Sequence, residues 1–204
     1  MAKPSFLLAA LVICTSIPAF SQVVPEIGHP GRGMPLSVGV AYSTYDTDWS
    51  GPFEGGKPLN GGRLSGGTLW ADWNFYKLPP LWDGFGLEVE GRDLNYGRTG
   101  DDPKMRQDTV EGGLIYTTHF YRRFHPYAKF LFGYGSIDFT VAPTYSHDTR
   151  TMYVPGGGAD TRFYKSLWLR VNYEYQFWPN FFRYHTLNPR GWDVGVAYDF
   201  GGFR

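Results

Sequence analysis

The sequence predicts an all-β fold, an eight-stranded antiparallel up-and-down barrel, on three observations. From Leu36 onward the dominant hydrophobic period is two, no segment shows the 3.6-residue period of an amphipathic helix, and long and short links alternate between the periodic stretches. Composition agrees, since 19% aromatic residues with 27 Gly suits turn-rich β-structure and suits helices poorly.

The clearest strand has Leu169, Val171, Tyr173, Tyr175 and Phe177 alternating with Arg170, Asn172, Glu174 and Gln176. The last strand repeats the rule, with Trp192, Val194, Val196, Tyr198 and Phe200 against Asp193, Gly195, Ala197 and Asp199. The same reading covers 36–45, 68–75, 85–92, 110–119, 127–137 and, less regularly, 153–163, which makes eight. Links near 46–62, 97–107, 138–152 and 179–190 read as long loops of about ten residues or more, and those near 76–84, 122–126 and 164–166 as short turns.

Alternation alone leaves open whether the apolar face lines a core or meets lipid. The polar faces carry Gly39, Gly86, Gly113, Gly133, Gly135 and Gly195, small enough for a narrow lumen. They also carry charges of both signs, Glu88, Glu90, Arg92, Glu111, Lys129, Arg162, Arg170 and Glu174, a cluster able to pair across a closed interior and plug it. The apolar faces are rich in rings toward strand ends, as at Tyr42, Trp73, Tyr116, Tyr134, Phe177 and Trp192, where amphipathic rings favour the headgroup boundary. A soluble ligand-binding barrel, the alternative, would turn a surface dense in Lys and Glu to water, and here that face is mostly small and uncharged. The expectation is a transmembrane barrel with apolar side chains toward lipid and hydrophilic ones sealed within.

The N-terminus fits export. Lys3, the apolar run Phe6–Ile13 and the exit Pro18-Ala19-Phe20-Ser21 read as a signal peptide over 1–21, well short of the ~20 apolar residues of a spanning helix. Cys14 leaves with it, so the mature chain has no thiol for disulfides, catalysis or zinc. Residues 22–34, aperiodic and rich in Gly and Pro, are expected as a periplasmic lead-in, and 35–204 as the barrel. Lys plus Arg and Asp plus Glu are both 19, which leaves no electrostatic footprint for nucleic acid.

At the C-terminus Asp193, Gly195, Tyr198 and Phe200 are spaced as polar-x-Gly-x-x-aromatic-x-aromatic. With Pro126-Tyr127-Ala128-Lys129, Gly156-Gly157-Gly158 and the run from Arg170 to Gln176, the mature chain resembles the OmpA-like outer-membrane β-barrel domain family. The resemblance implies eight strands inserted by the β-barrel assembly machinery, with those four C-terminal residues as the assembly signal. The chain departs from the family pattern in running on through Gly201–Arg204, and it is expected to carry no periplasmic peptidoglycan-binding domain of the kind found in full-length OmpA relatives.

Other motifs are weak. Asp46-Thr47-Asp48-Trp49-Ser50-Gly51 begins like a calcium loop, but Lys57 stands where a bidentate Glu is needed. Gly97–Gly100 and Gly55-Gly56-Lys57 lack the spacing of a phosphate cradle. Ser146, His147 and Asp148 supply the residue types of a hydrolase triad on a long loop, but neighbours in sequence point to opposite faces of a strand. His119 reads as a structural histidine. No cofactor or metal is expected, and the chain is read as a non-enzyme of the Gram-negative outer membrane, in contact with its lipid and lipopolysaccharide. Its role is read as structural or surface-interacting through four outward loops, including 49–53 and 180–189. A narrow ion-conducting pore and a lipid A-modifying barrel enzyme stay open as alternatives.

Overall fold

The structure is a computed structural model that describes residues 36–46, 63–74, 84–99, 102–118, 124–139, 146–181 and 185–200. The signal peptide, Cys14, the lead-in, the calcium-like loop beyond Asp46, His119 and the last four residues lie outside them.

Ten strands follow in order: β1 (Leu36–Asp46), β2 (Arg63–Asn74), β3 (Phe85–Thr99), β4 (Asp102–Thr117), β5 (Phe124–Phe139), β6 (Ser146–Tyr164), β7 (Leu167–Tyr175), β8 (Trp178–Phe181), β9 (His185–Leu187) and β10 (Arg190–Asp199). Eight of them close an antiparallel barrel, β1-β10-β7-β6-β5-β4-β3-β2, and β8 and β9 form a separate hairpin. The seam between first and last strand runs from Ser37 opposite Asp199 to Asp46 opposite Arg190. Phe200 extends it by donating its N–H to the Leu36 carbonyl at 2.9 Å, so no backbone edge is left there.

Register fixes the shape. A row of Cα partners that leaves β6 at Thr149 and passes from strand to strand round the barrel returns to β6 at Ala159. That offset of ten residues over eight strands requires a tilt of about 40° and a backbone radius of roughly 8 Å. Such a lumen holds side chains and little else.

The strand faces follow the predicted parity within the lower barrel. Val89 is 58% exposed and Phe130 55%, while their neighbours Glu90 and Lys129 are 3% and 5%. From Tyr134 down to Phe124 on β5 the outward band spans about 25 Å at this tilt, the height of a bilayer's hydrocarbon layer in an outer-membrane barrel. Rings rim it on both sides, with Tyr134, Tyr153 and Trp192 above and Trp73, Tyr116, Phe124 and Tyr198 below.

Above the upper rim the pattern inverts, which corrects the expectation of an apolar exterior and polar interior throughout. On β3, Leu87 and Val89 face out, but Leu94 faces in and is fully buried while Asp93 faces out. Ile137 and Met152 likewise point inward, beside outward Ser136, Asp138 and Thr149. The outer solvent changes from lipid to water at the rim, so apolar side chains gain by turning inward there.

This inversion also corrects the link lengths. Residues 97–99 and 102–107 of the predicted 97–107 loop are strand, because β3 and β4 stay paired to Thr99 opposite Asp102. The predicted 138–152 loop is strand over 138–139 and 146–152, since β5 and β6 pair to Phe139 opposite Ser146. The 179–190 loop holds the β8–β9 hairpin. Strand segments with a polar outer face and an interrupted apolar alternation look like loops to a search for outward apolar residues.

Candidate functional site

Three layers fill the cylinder. In the middle, three cations from three strands tie the walls together. Arg92 of β3 bonds Glu174 at 2.6 Å, Asp193 and Glu111 at 3.5 Å each, and its strand neighbour Glu90. Its guanidinium lies 4.5 Å from the Tyr45 ring centroid, and Tyr45 Oη donates to Glu174 and Asp193. Lys129 of β5 reaches Glu88 and Glu90 at 2.6 Å and Glu174 at 2.5 Å. Arg170 of β7 takes Asp72, Glu88 and Asp160 at 2.6 to 2.8 Å, with its guanidinium against the rings of Trp70 and Tyr127. Glu88, Glu90 and Glu174 each bridge two cations, so the three centres form one network. At a site this deeply buried each charge depends on its partners. Oxygens of Glu90, Glu174 and Asp193 lie within 4.8 Å of one another, a spacing a metal ion could use, but the Arg92 guanidinium already bonds all three.

Above the network the lumen is mainly apolar. Tyr45, Leu64, Leu94, Met105, Ile137 and Met152 pack with Trp178 and Phe181 of β8 and Leu187 of β9. The hairpin therefore folds into the barrel mouth. Trp178 Nε1 donates to Gln176 Oε1 at 3.0 Å, and Gln107 Nε2 donates to the same oxygen at 2.9 Å, which settles the indole's one polar atom. Below the network a cavity of about 50 Å³ opens between Ser37, Asp72, His125, Asp160, Trp168 and Arg170.

The outer wall above the rim carries two adjacent rows of polar residues. One runs Asp93, Asp108, Ser136, Thr149 across β3 to β6, and the next runs Asn95, Arg106, Asp138, His147. Arg106 pairs with Asp93 at 3.0 Å and with Asp108 at 3.1 Å. His147 Nδ1 bonds Asp138 Oδ1, with Ser136 Oγ at 3.4 Å, and His147 Nε2 lies 3.1 Å from Thr149 Oγ1.

The family model for the outer membrane protein beta-barrel domain matches residues 7–200. The chain belongs to that family. It is an outer-membrane protein, and the solved structures it is similar to are small barrels of the same kind. Neisserial surface protein A gives a TM-score of 0.64 at 11% identity, over 82% of this chain and 99% of that one. Ail, the attachment invasion locus protein of Yersinia pestis, gives 0.56 at 16%, over 82% and 99%. OprG of Pseudomonas aeruginosa gives 0.53 at 13%, over 84% and 99%. Among curated proteins no sequence match is found.

In this family member, the structure brings seven of the eight expected interior charges into the central network. The eighth, Arg162, stands at the lower mouth with its guanidinium 5.8 Å from the Trp168 ring centroid. Asp72 and Asp160 belong to the network and were legible from parity, since Asp72 lies two residues from inward Trp70 and Asn74, and Asp160 two from Gly158. Asp193, read as part of the assembly signal, and Gly195 face inward, and Tyr198 and Phe200 face out. Ser146, His147 and Asp148 sit on β6 and not on a loop, with His147 turned outward and Asp148 inward, so they form no triad among themselves.

Proposed function

We propose that this outer-membrane barrel acts at the cell surface as a structural and contact protein, and that its contact surface is the polar outer wall of β3 to β6 more than four long loops. The observation that carries this reading is the pair of polar rows standing above the aromatic rim, on the part of the wall that faces water and headgroups if the rim marks the lipid boundary. Hydrogen bonds and ion pairs within the rows hold their side chains in a fixed array, which lowers the ordering cost of meeting a partner. Phe181 and Leu187, part of one expected contact loop, are instead buried in the apolar cluster that closes the lumen. Ail, a neighbour in fold, is the attachment invasion locus protein of Yersinia pestis, a name in keeping with a surface role.

A triple substitution, Asp93→Ala with Arg106→Ala and Asp108→Ala, tests the reading. Cells producing it at wild-type level should bind lipopolysaccharide-coated and host-cell surfaces several-fold less than cells with the native barrel. Equal binding removes the wall from the function.

The filled lumen weighs against the pore alternative. Among the described residues a layer of paired, buried charges and an apolar cap lie in series along the lumen, an arrangement that disfavours passage of hydrated ions.

A further inference from the structure

His147, Asp138 and Thr149 stand in the order a hydroxyl nucleophile requires. Asp138 is an acceptor only, so its bond to Nδ1 places the ring proton there and leaves Nε2 as the acceptor for the Thr149 hydroxyl at 3.1 Å. Two strands build the set: His147 and Thr149 are two residues apart on β6 and share its outer face, and Asp138 is the direct cross-strand partner of His147 on β5. The trio expected from sequence, Ser146-His147-Asp148, shares only the histidine.

Two further features bear on the chemistry. Tyr153 exchanges both backbone bonds with Phe177, so its N–H and C=O point away from β5. By strand alternation the N–H groups of Thr149 and Thr151 point the same way, and no described strand pairs with β6 above Tyr153 on that side. The nucleophile's own N–H thus lies beside its hydroxyl, where a developing oxyanion would form. Thr149 also sits four residues above Tyr153 of the aromatic rim, about 10 Å higher at this tilt, within reach of the headgroups of outer-leaflet amphiphiles.

We propose that Thr149, His147 and Asp138 form an esterase site that acts on ester-linked acyl chains of outer-leaflet amphiphiles. His147 Nε2 takes the Thr149 proton as Oγ1 attacks the acyl carbonyl. The tetrahedral adduct collapses, the ester C–O bond breaks, and the leaving alkoxide takes the proton from Nε2. Water then attacks the acyl-threonine, gives its proton to Nε2 and later to Oγ1, and releases the fatty acid. Thr149 and His147 are the catalytic residues, and Asp138 positions the ring. The site is independent of whether the wall has an adhesive partner.

The test uses the full-length barrel in detergent micelles with p-nitrophenyl decanoate as the probe, followed by mass spectrometry of outer-membrane lipids from producing cells. Saturable nitrophenolate release is expected. Thr149→Ala and His147→Ala should each lower kcat/KM at least 100-fold, to the level of micelles alone. Asp138→Asn should lower kcat at least tenfold with KM unchanged, and Asp138→Glu should restore part of it. A long-chain fluorophosphonate should label Thr149 in the native protein and fail to label the His147→Ala variant. All three side chains face outward, and a heat-shifted gel band for each variant confirms a folded barrel. Release that is absent from the native protein, or unchanged by Thr149→Ala, overturns the proposal.

Discussion

The indole of Trp178 packs directly over Gly135, inside the outer mouth of the barrel, where any side chain at 135 would occupy the space of the ring. Gly135 is therefore required by close approach, and the hairpin that carries Trp178 is a built part of the lumen. Trp178→Ala should cost about 3–5 kcal/mol through the cavity it leaves. Gly135→Val should cost about 1–3 kcal/mol through overpacking. Urea unfolding of the barrel in lipid vesicles, followed by tryptophan fluorescence or gel mobility, measures both.

Arg92 is the most connected cation of the network, with four carboxylates around it. Arg92→Met should destabilise by about 3–5 kcal/mol, because those carboxylates stay buried with their partner gone. Arg106→Met on the outer wall breaks two ion pairs that water can replace, and should cost no more than about 1 kcal/mol. The same unfolding assay compares the two, and equal costs would place the network in contact with solvent.

Single-channel recording tests the sealed lumen. The native barrel should show no resolved conductance steps, and neither should Trp178→Ala, since the ionic layer below the cap remains. Regular steps from the native protein would revive the pore reading.

The inversion at the rim predicts that one substitution has two costs on two sides of it. Val89→Arg, facing the hydrocarbon layer, should cost about 2–4 kcal/mol, and Ser136→Arg, on the wall above, about 0–1 kcal/mol. Similar values at both sites would mean that the lipid boundary does not lie between them.

Much of this was legible in the sequence, and the failures share one physical origin. The seven lower-barrel strands with the cleanest alternation announce their two faces because lipid outside and a polar lumen inside demand opposite chemistry at successive residues. Above the rim the demand reverses, so Asp93, Leu94 and Asn95 break the phase set by Leu87 and Val89 and look like the start of a loop. Arg162 shares the parity of the network residues, but it lies at the strand's end, where parity gives no depth. The pairing of His147 with Asp138 needed the register of β5 against β6, which local pattern does not contain. A change of apolar parity inside one continuous strand is the signal that would have found both the wall and the cap.

Spin-label collision rates with oxygen read most directly the direction in which β5 turns its side chains. Single nitroxide labels, each on a cysteine introduced into the mature chain at 130, 131, 132 or 133, should show in lipid bilayers high oxygen accessibility at 130 and 132 and low accessibility at 131 and 133. Maxima at 131 and 133, or no alternation, would contradict a barrel that faces Phe130 and Phe132 to lipid and Leu131 and Gly133 to its filled interior.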